Sequence, residues 1–240
     1  MIYMGSKARI AKDILKVMQS DIDKTDCFVD MFCGGGNLLQ YVNAKYIIAN
    51  DINPYVIAFL ERIQKEGCDW IPKNNKEFTQ EHFLLVKRNK DKFKKSVLGH
   101  VGYNLSFGGN WFCSYRKDNT GKRDYVAEAY RGAVKQQKLL NKNILFTNKD
   151  YRDVDIPNNS TVYCDIPYKD TGKYTAVSNF NHEEFYNWCR CVKSDKNLTI
   201  YISEYDMPED FECVWQKEIR VQQAKLNNST LATEKLFKLK

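Results

Sequence analysis

The chain has 240 residues, 43% of them hydrophobic and 13% aromatic, with a net charge of +7. That length suits one large domain, or one domain carrying an insertion, and the aromatic content excludes a disordered chain. No apolar run approaches the ~20 residues that span a bilayer, and the first residues lack the apolar stretch of a signal peptide, so the expectation is a cytoplasmic protein without membrane contact.

The elements are read in chain order. Ser6 is expected to cap an amphipathic helix whose apolar side is Ile10, Ile14, Leu15, Val17 and Met18. Cys27–Phe32 reads as a buried strand, broken by Gly34-Gly35-Gly36 and followed by a short helix from about Asn37. Tyr46–Ala49 is a second buried strand ending at Asn50-Asp51, and Pro54 opens the next helix, where its missing N–H costs nothing. From about Asp69 to Asn143 the strand rhythm disappears, and charged helical patterns cover Glu77–Phe93 and Tyr125–Leu140. Between them, Phe112–Tyr115 and Lys122–Tyr125 flank Asn119-Thr120-Gly121, which predicts a hairpin. Strand-type runs then resume at Ile144–Phe146, Thr161–Cys164 and Leu198–Ile202, with a helix over His182–Val192 before the last. Cys213–Val221 and Lys235–Leu239 read as a closing antiparallel pair. Strand, glycine turn, helix, strand, acid, helix opens a βαβ unit. The predicted fold is α/β: a Rossmann-like, doubly wound, mostly parallel sheet with an antiparallel C-terminal pair. Residues 1–68 and 141–240 form its body, and residues 69–140 are an inserted, mainly helical region.

Eight cysteines include no C-x-x-C pair, and only three histidines accompany them. A metal centre is therefore not expected, and the thiols read as buried structural groups in a reducing compartment. The positive charge is local. Between His82 and Arg123 ten Lys/Arg face only Asp91 and Asp118, a surplus of +8 that leaves −1 for the rest of the chain. Rings follow the basic run, at Tyr103, Phe107, Trp111, Phe112 and Tyr115. That mixture suits a phosphate backbone and exposed bases, although a charge run can also be a solvated helix face.

Phe32-Cys33-Gly34-Gly35-Gly36 directly follows the first strand, and Asp51 lies 21 residues after Asp30. Glycines there admit close approach of a nucleoside, and such an acid takes ribose hydroxyls. On this pattern alone, NAD, FAD and S-adenosylmethionine all fit. Asp165-Ile166-Pro167-Tyr168, at the carboxyl end of a later strand, discriminates among them: a nicotinamide oxidoreductase has no use for it.

With these motifs in order, the chain resembles the Dam-like (alpha-group) adenine-specific DNA methyltransferases, which use S-adenosylmethionine. Tyr3-Met4-Gly5-Ser6-Lys7 looks like the family's N-terminal cofactor motif, Asp30–Gly36 like its glycine motif, and Asn50-Asp51-Ile52-Asn53 like its ribose-binding segment. Asp150-Tyr151 resembles the pair beside the cofactor's adenine, and Asp165–Tyr168 the catalytic tetrapeptide, with Ile166 where the family usually carries proline. The resemblance implies cofactor contacts from Tyr3, Lys7, Asp30, Phe32, Gly34, Gly36, Asp51, Asp150, Tyr151 and Asp165, and catalysis by Asp165, Ile166, Pro167 and Tyr168. It makes the insertion a target-recognition region on duplex DNA, with Lys87, Arg88, Arg116, Lys117, Asn119, Lys122 and Arg123 as its candidate contacts. It also implies a monomer or weak dimer in the cytoplasm of a bacterial or phage-infected cell. An RNA adenine methyltransferase and a DNA-binding homologue that lost catalysis are the alternatives.

Overall fold

The computed structural model describes residues 1–3, 5–169, 180–222 and 229–240; Met4 of the N-terminal motif lies outside them. Seven strands form one sheet: β1 (Cys27–Asp30), β2 (Tyr46–Asn50), β3 (Ile144–Thr147), β4 (Ser160–Asp165), β5 (Thr199–Ser203), β6 (Phe211–Gln222) and β7 (Ser229–Leu239). Their spatial order is β3-β2-β1-β4-β5-β7-β6. The first five are parallel, whereas β7 runs antiparallel to both β5 and β6. The expected architecture is therefore the observed one.

Alternation along the strands sorts the core onto two faces. Phe28, Ile47, Ala49 and Tyr163 pack against α1 (Ala11–Ile22) and α2 (Pro54–Glu66). Cys27, Val29, Ile48, Val162 and Cys164 face α6 (His182–Lys196) on the other side. Within residues 69–140, α3 (Gln80–Arg88), α4 (Lys95–Gly99) and α5 (Tyr125–Gln136) surround a separate apolar cluster of Phe78, Phe83, Val86, Leu98, Val101, Leu105, Phe112, Val126 and Ala129.

Four local expectations are corrected. α1 starts at Ala11, behind Ile10 and without a side-chain cap. Ser6 Oγ instead accepts from the Ala8 N–H (3.3 Å) and from Asn37 Nδ2 (2.8 Å). Asn37 Nδ2 also reaches the Met1 carbonyl (3.3 Å), and residues 37–41 form turns rather than a helix. The expected hairpin in the insertion does not form. Phe112 donates to the Gly102 carbonyl, Phe107 to that of Ser114 and Arg116 to that of Leu105, with one bridge at Ser106–Tyr115. The Asp118 carboxylate closes the following loop on itself, accepting from Thr120, Lys122 and Arg123, while Asp124 caps α5. Among the described residues Cys27, Cys33, Cys68, Cys164 and Cys189 are buried free thiols, but Cys113, Cys191 and Cys213 are exposed.

Candidate active site

Parallel strands end together, and the acids that the sequence places at their ends meet there. Asp30 pairs in register with Ala49 on one side and Tyr163 on the other, and Asp165 with Ser203. Asp30, Asp51, Asp165 and Glu204 consequently share the carboxyl edge of the sheet, where open α/β sheets hold ligands.

The glycine turn is shaped by its conformation. Gly34 and Gly36 have φ of +47° and +66°, and a Cβ on Gly36 would meet the Leu60 methyls at 2.9–3.0 Å. The Gly34 N–H donates to Asp51 Oδ2 (2.8 Å) and the Asn53 N–H to Asp51 Oδ1 (2.8 Å). Burial raises the Asp51 carboxyl above its ordinary range, and these two N–H groups oppose that rise. Each oxygen keeps a second lone pair for a hydroxyl donor. Asn53 extends the network to the Tyr103 hydroxyl (2.5 Å), and the Tyr103 ring stands edge-on to Tyr3, 5.2 Å between centroids. Asn53 lies in the segment that resembles the ribose-binding motif, whereas nothing in the sequence pointed to Tyr103 as its partner.

Asp30 is 2% exposed, and its Oδ1 has no hydrogen-bond partner among the described residues. Burial holds its carboxyl well above the usual range, and the Asp165 and Asp51 charges push the same way. Phe32 lies in a nest of rings with Tyr151 (5.8 Å), Phe180 (5.9 Å) and Phe185 (5.8 Å). Tyr151 is thus close to Phe32 at the head of the glycine turn. Asp150 is held by Arg152, with Nε to Oδ1 at 2.8 Å and Nη2 to Oδ2 at 2.9 Å.

The tetrapeptide leaves β4 on this edge. Lys7 Nζ lies 3.0 Å from Asp165 Oδ1 and 3.4 Å from Glu234 Oε2, and 4.4 Å above the Tyr168 ring. The Tyr168 hydroxyl donates to Glu234 Oε2 (2.7 Å), and its ring meets Tyr205 edge-on at 4.6 Å. Burial raises the Asp165 carboxyl; Lys7 pulls it down and Glu234 pushes it up. Ile166 is 3% exposed within the α6-side cluster, so the residue that replaces the usual proline fills core space. The Pro167 carbonyl lies 2.9 Å from His182 Nε2, which stands 3.8 Å from the buried Glu204. Glu204 in turn accepts from the N–H groups of Lys169 (3.1 Å) and Tyr205 (2.7 Å). His182 and Glu204 therefore brace the loop. Sequence reading weighed His182 only as a metal ligand, and its place beside Pro167 comes from the helix start it occupies.

The candidate nucleic-acid residues lie within the inserted region and differ among themselves. Arg88, Lys117, Asn119 and Lys122 are exposed. Lys87 Nζ donates to the Cys113 carbonyl (2.8 Å). Arg123 pairs with Glu128 (2.8 Å), Arg116 reaches the same carboxylate (3.4 Å), and both guanidiniums lie over the Tyr125 ring. Among the described residues there is no His/Cys/Asp/Glu group able to hold a metal ion, and no helix long and apolar enough to cross a membrane.

Among the described residues, a seven-stranded sheet with this order, an acidic carboxyl edge and a D-x-P-Y loop beside a glycine turn mark an α/β protein with a candidate ligand site at that edge. Comparison with known proteins narrows the class: the profile of the D12 class N6 adenine-specific DNA methyltransferases matches residues 3–188. The chain belongs to that family. It is 28% identical over 206 residues to the type II methyltransferase M.FokI of Planomicrobium okeanokoites, covering 78% of this chain and 31% of that protein. It is 26% identical over 195 residues to the modification methylase StsI of Streptococcus sanguinis, covering 72% and 29% respectively. The chain thus spans about a third of the length of these curated relatives. A Haemophilus influenzae crystal structure with a provisional methylase assignment aligns over 96% of this chain and 88% of that one, at 12% identity and a TM-score of 0.38.

Proposed function

We propose that the protein transfers a methyl group from S-adenosylmethionine to adenine N6 at a specific site in duplex DNA, directly and on a base rotated out of the helix. The observation that carries this reading is the buried Asp30 Oδ1, without a partner at the glycine turn and flanked by Asp51 and Asp165. A buried acid oxygen with no hydrogen-bond partner among the described residues either keeps its proton or meets a cationic or hydrogen-bonding ligand, and the charged donor fits the second case. The methyl donor carries an ammonium and a sulfonium, whereas a dinucleotide's pyrophosphate would be repelled there. Asp51 suits the ribose hydroxyls, and the rings around Phe32 suit an adenine. Lys7, Tyr3, Gly34, Gly36, Asp150 and Tyr151 complete the proposed pocket.

When bound, the donor supplies an electrophilic methyl. Adenine N6 is a poor nucleophile because its lone pair is delocalised into the ring. Asp165 and the main-chain carbonyl of Ile166 accept its two N–H bonds, draw the nitrogen toward tetrahedral geometry and oppose the positive charge that develops on attack. Tyr168 offers a stacking face to the base, which cannot be reached within a base pair. Pro167, held beside His182, fixes the loop. Residues 69–140, with their own apolar cluster and local basic surplus, are the proposed recognition region, and the exposure of Arg88, Lys117, Asn119 and Lys122 supports a role for them toward phosphates or base edges.

The test is to sequence DNA from cells expressing the protein with a modification-sensitive reader. One enriched N6-methyladenine motif is expected. A parallel assay on duplex DNA, single-stranded DNA and RNA separates the substrate classes, and transfer to RNA alone would reject the DNA reading.

A further inference from the structure

Glu234 lies beyond residues 3–188 of the family match and in none of the sequence motifs. The topology carries it to the site. β7 pairs with β5 through Lys238, Phe237 and Leu236, then continues past the carboxyl end of β5. Two residues on, Glu234 stands on the same face as Leu236, which packs in the α1-side cluster. That is the face on which Lys7 approaches from the segment before α1.

Glu234 is 7% exposed, and a single oxygen, Oε2, receives both the Tyr168 hydroxyl (2.7 Å) and the Lys7 ammonium (3.4 Å). The same ammonium is 3.0 Å from Asp165. One cation is therefore shared by these two carboxylates, and with both ionised the trio Asp165–Lys7–Glu234 sums to −1. A simple Lys7–Asp165 pair would be neutral and would set an ammonium against the positive charge developing on N6. A second carboxylate restores the negative field that such a transition state needs.

We propose that Glu234 is a positioning residue for methyl transfer: it draws Lys7 part-way from Asp165, leaving that carboxylate to accept from adenine N6, and it fixes the Tyr168 ring through the hydroxyl. The inference rests on the roles given above to Asp165 and Tyr168. Replacing glutamate by glutamine separates its two functions, because an amide oxygen still accepts from Tyr168 but the added charge is gone.

The experiment is single-turnover transfer of a labelled methyl group to a duplex carrying the motif found by sequencing. Binding, thermal midpoint and 2-aminopurine brightening at the target are read in parallel. Glu234→Gln should lower the rate at least ~10-fold, while DNA affinity, thermal midpoint and brightening stay near wild type. Glu234→Ala should lower both the rate and the brightening, and adding Tyr168→Phe to it should not lower the brightening further. Asp165→Ala, in the same assay, should slow transfer by at least ~10²–10³. A wild-type rate for Glu234→Gln beside a slowed Asp165→Ala overturns the role of Glu234 and leaves the proposed function standing. Loss of rate only in proportion to lost folded protein overturns it equally. A wild-type rate for Asp165→Ala would instead remove the reading on which it rests.

Discussion

The carboxyl edge of the sheet and the insertion carry opposite electrostatics by opposite means. At the edge, Asp30, Asp51, Asp165, Glu204 and Glu234 crowd into a largely buried space with Lys7. In the insertion, ten basic residues between His82 and Arg123 meet two acids, and several of them stand in solvent. Burial makes each charge at the edge costly and specific, so a few acids can select one cation. Exposure makes each charge in the insertion cheap and interchangeable, which suits a repeating polyanion. On the proposed function, solvent access as much as sign would direct a cationic small molecule to the edge and a nucleic acid to the insertion.

The largest expected effect tests the acidic edge. Asp51→Ala should weaken S-adenosylmethionine binding by about 1.5–3 kcal/mol, the range for a hydrogen bond to a charged group, and leave DNA affinity without cofactor unchanged. Calorimetric titration with each ligand checks this, and unaltered cofactor affinity would take Asp51 out of the pocket.

Asp30 gives a prediction in which stability and binding oppose each other. Its folded pKa is raised by burial above the unfolded value near ~4, so stability present below that value is lost as pH rises through the folded pKa. Asp30→Asn cannot ionise. It should therefore stabilise the cofactor-free protein by about 1–3 kcal/mol at pH 8, with the gain closing toward pH 4, and should weaken cofactor binding. Thermal melts across that pH range decide it; a gain independent of pH would contradict the buried-charge account.

The insertion should respond only to salt. Replacing exposed Arg88 and Lys92 by glutamine should flatten the plot of log K against log[salt] by about 0.9 per lost phosphate contact, with sequence preference intact. Identical slopes would return those residues to the role of a solvated face. The smallest effect is expected at Ile166→Pro, which restores the family's usual tetrapeptide but removes apolar atoms from a closed cluster. The methylation rate should hold or rise while stability falls by about 1 kcal/mol.

The sheet and the strand-end acids were legible because short apolar runs and their punctuation are local signals, and parallel strands must bring their carboxyl ends together. Misread features depend on partners distant in sequence or on one side chain's choice. Ser6 looks like a cap, but its hydroxyl serves Asn37, 31 residues away. The Asn119–Gly121 turn looks like a hairpin tip, but Asp118 binds the loop's own N–H groups and leaves the flanking segments unpaired with each other. Glu234 gave no signal, since only the antiparallel register of β7 on β5 brings it to Tyr168 across 66 positions. Ile166 could be read as a departure from the usual motif, and only the packing shows what it fills.

The most direct test of the account is transfer of an isotopically labelled methyl group from S-adenosylmethionine to duplex DNA by wild type and by Asp165→Ala, with the nucleosides resolved by mass spectrometry. Wild type should place the label on adenine N6, and Asp165→Ala should be slower by at least ~10²–10³, the scale for losing one preorganised electrostatic partner, with duplex affinity largely kept. Label on N6 at the wild-type rate without the Asp165 carboxylate would contradict the mechanism at its centre.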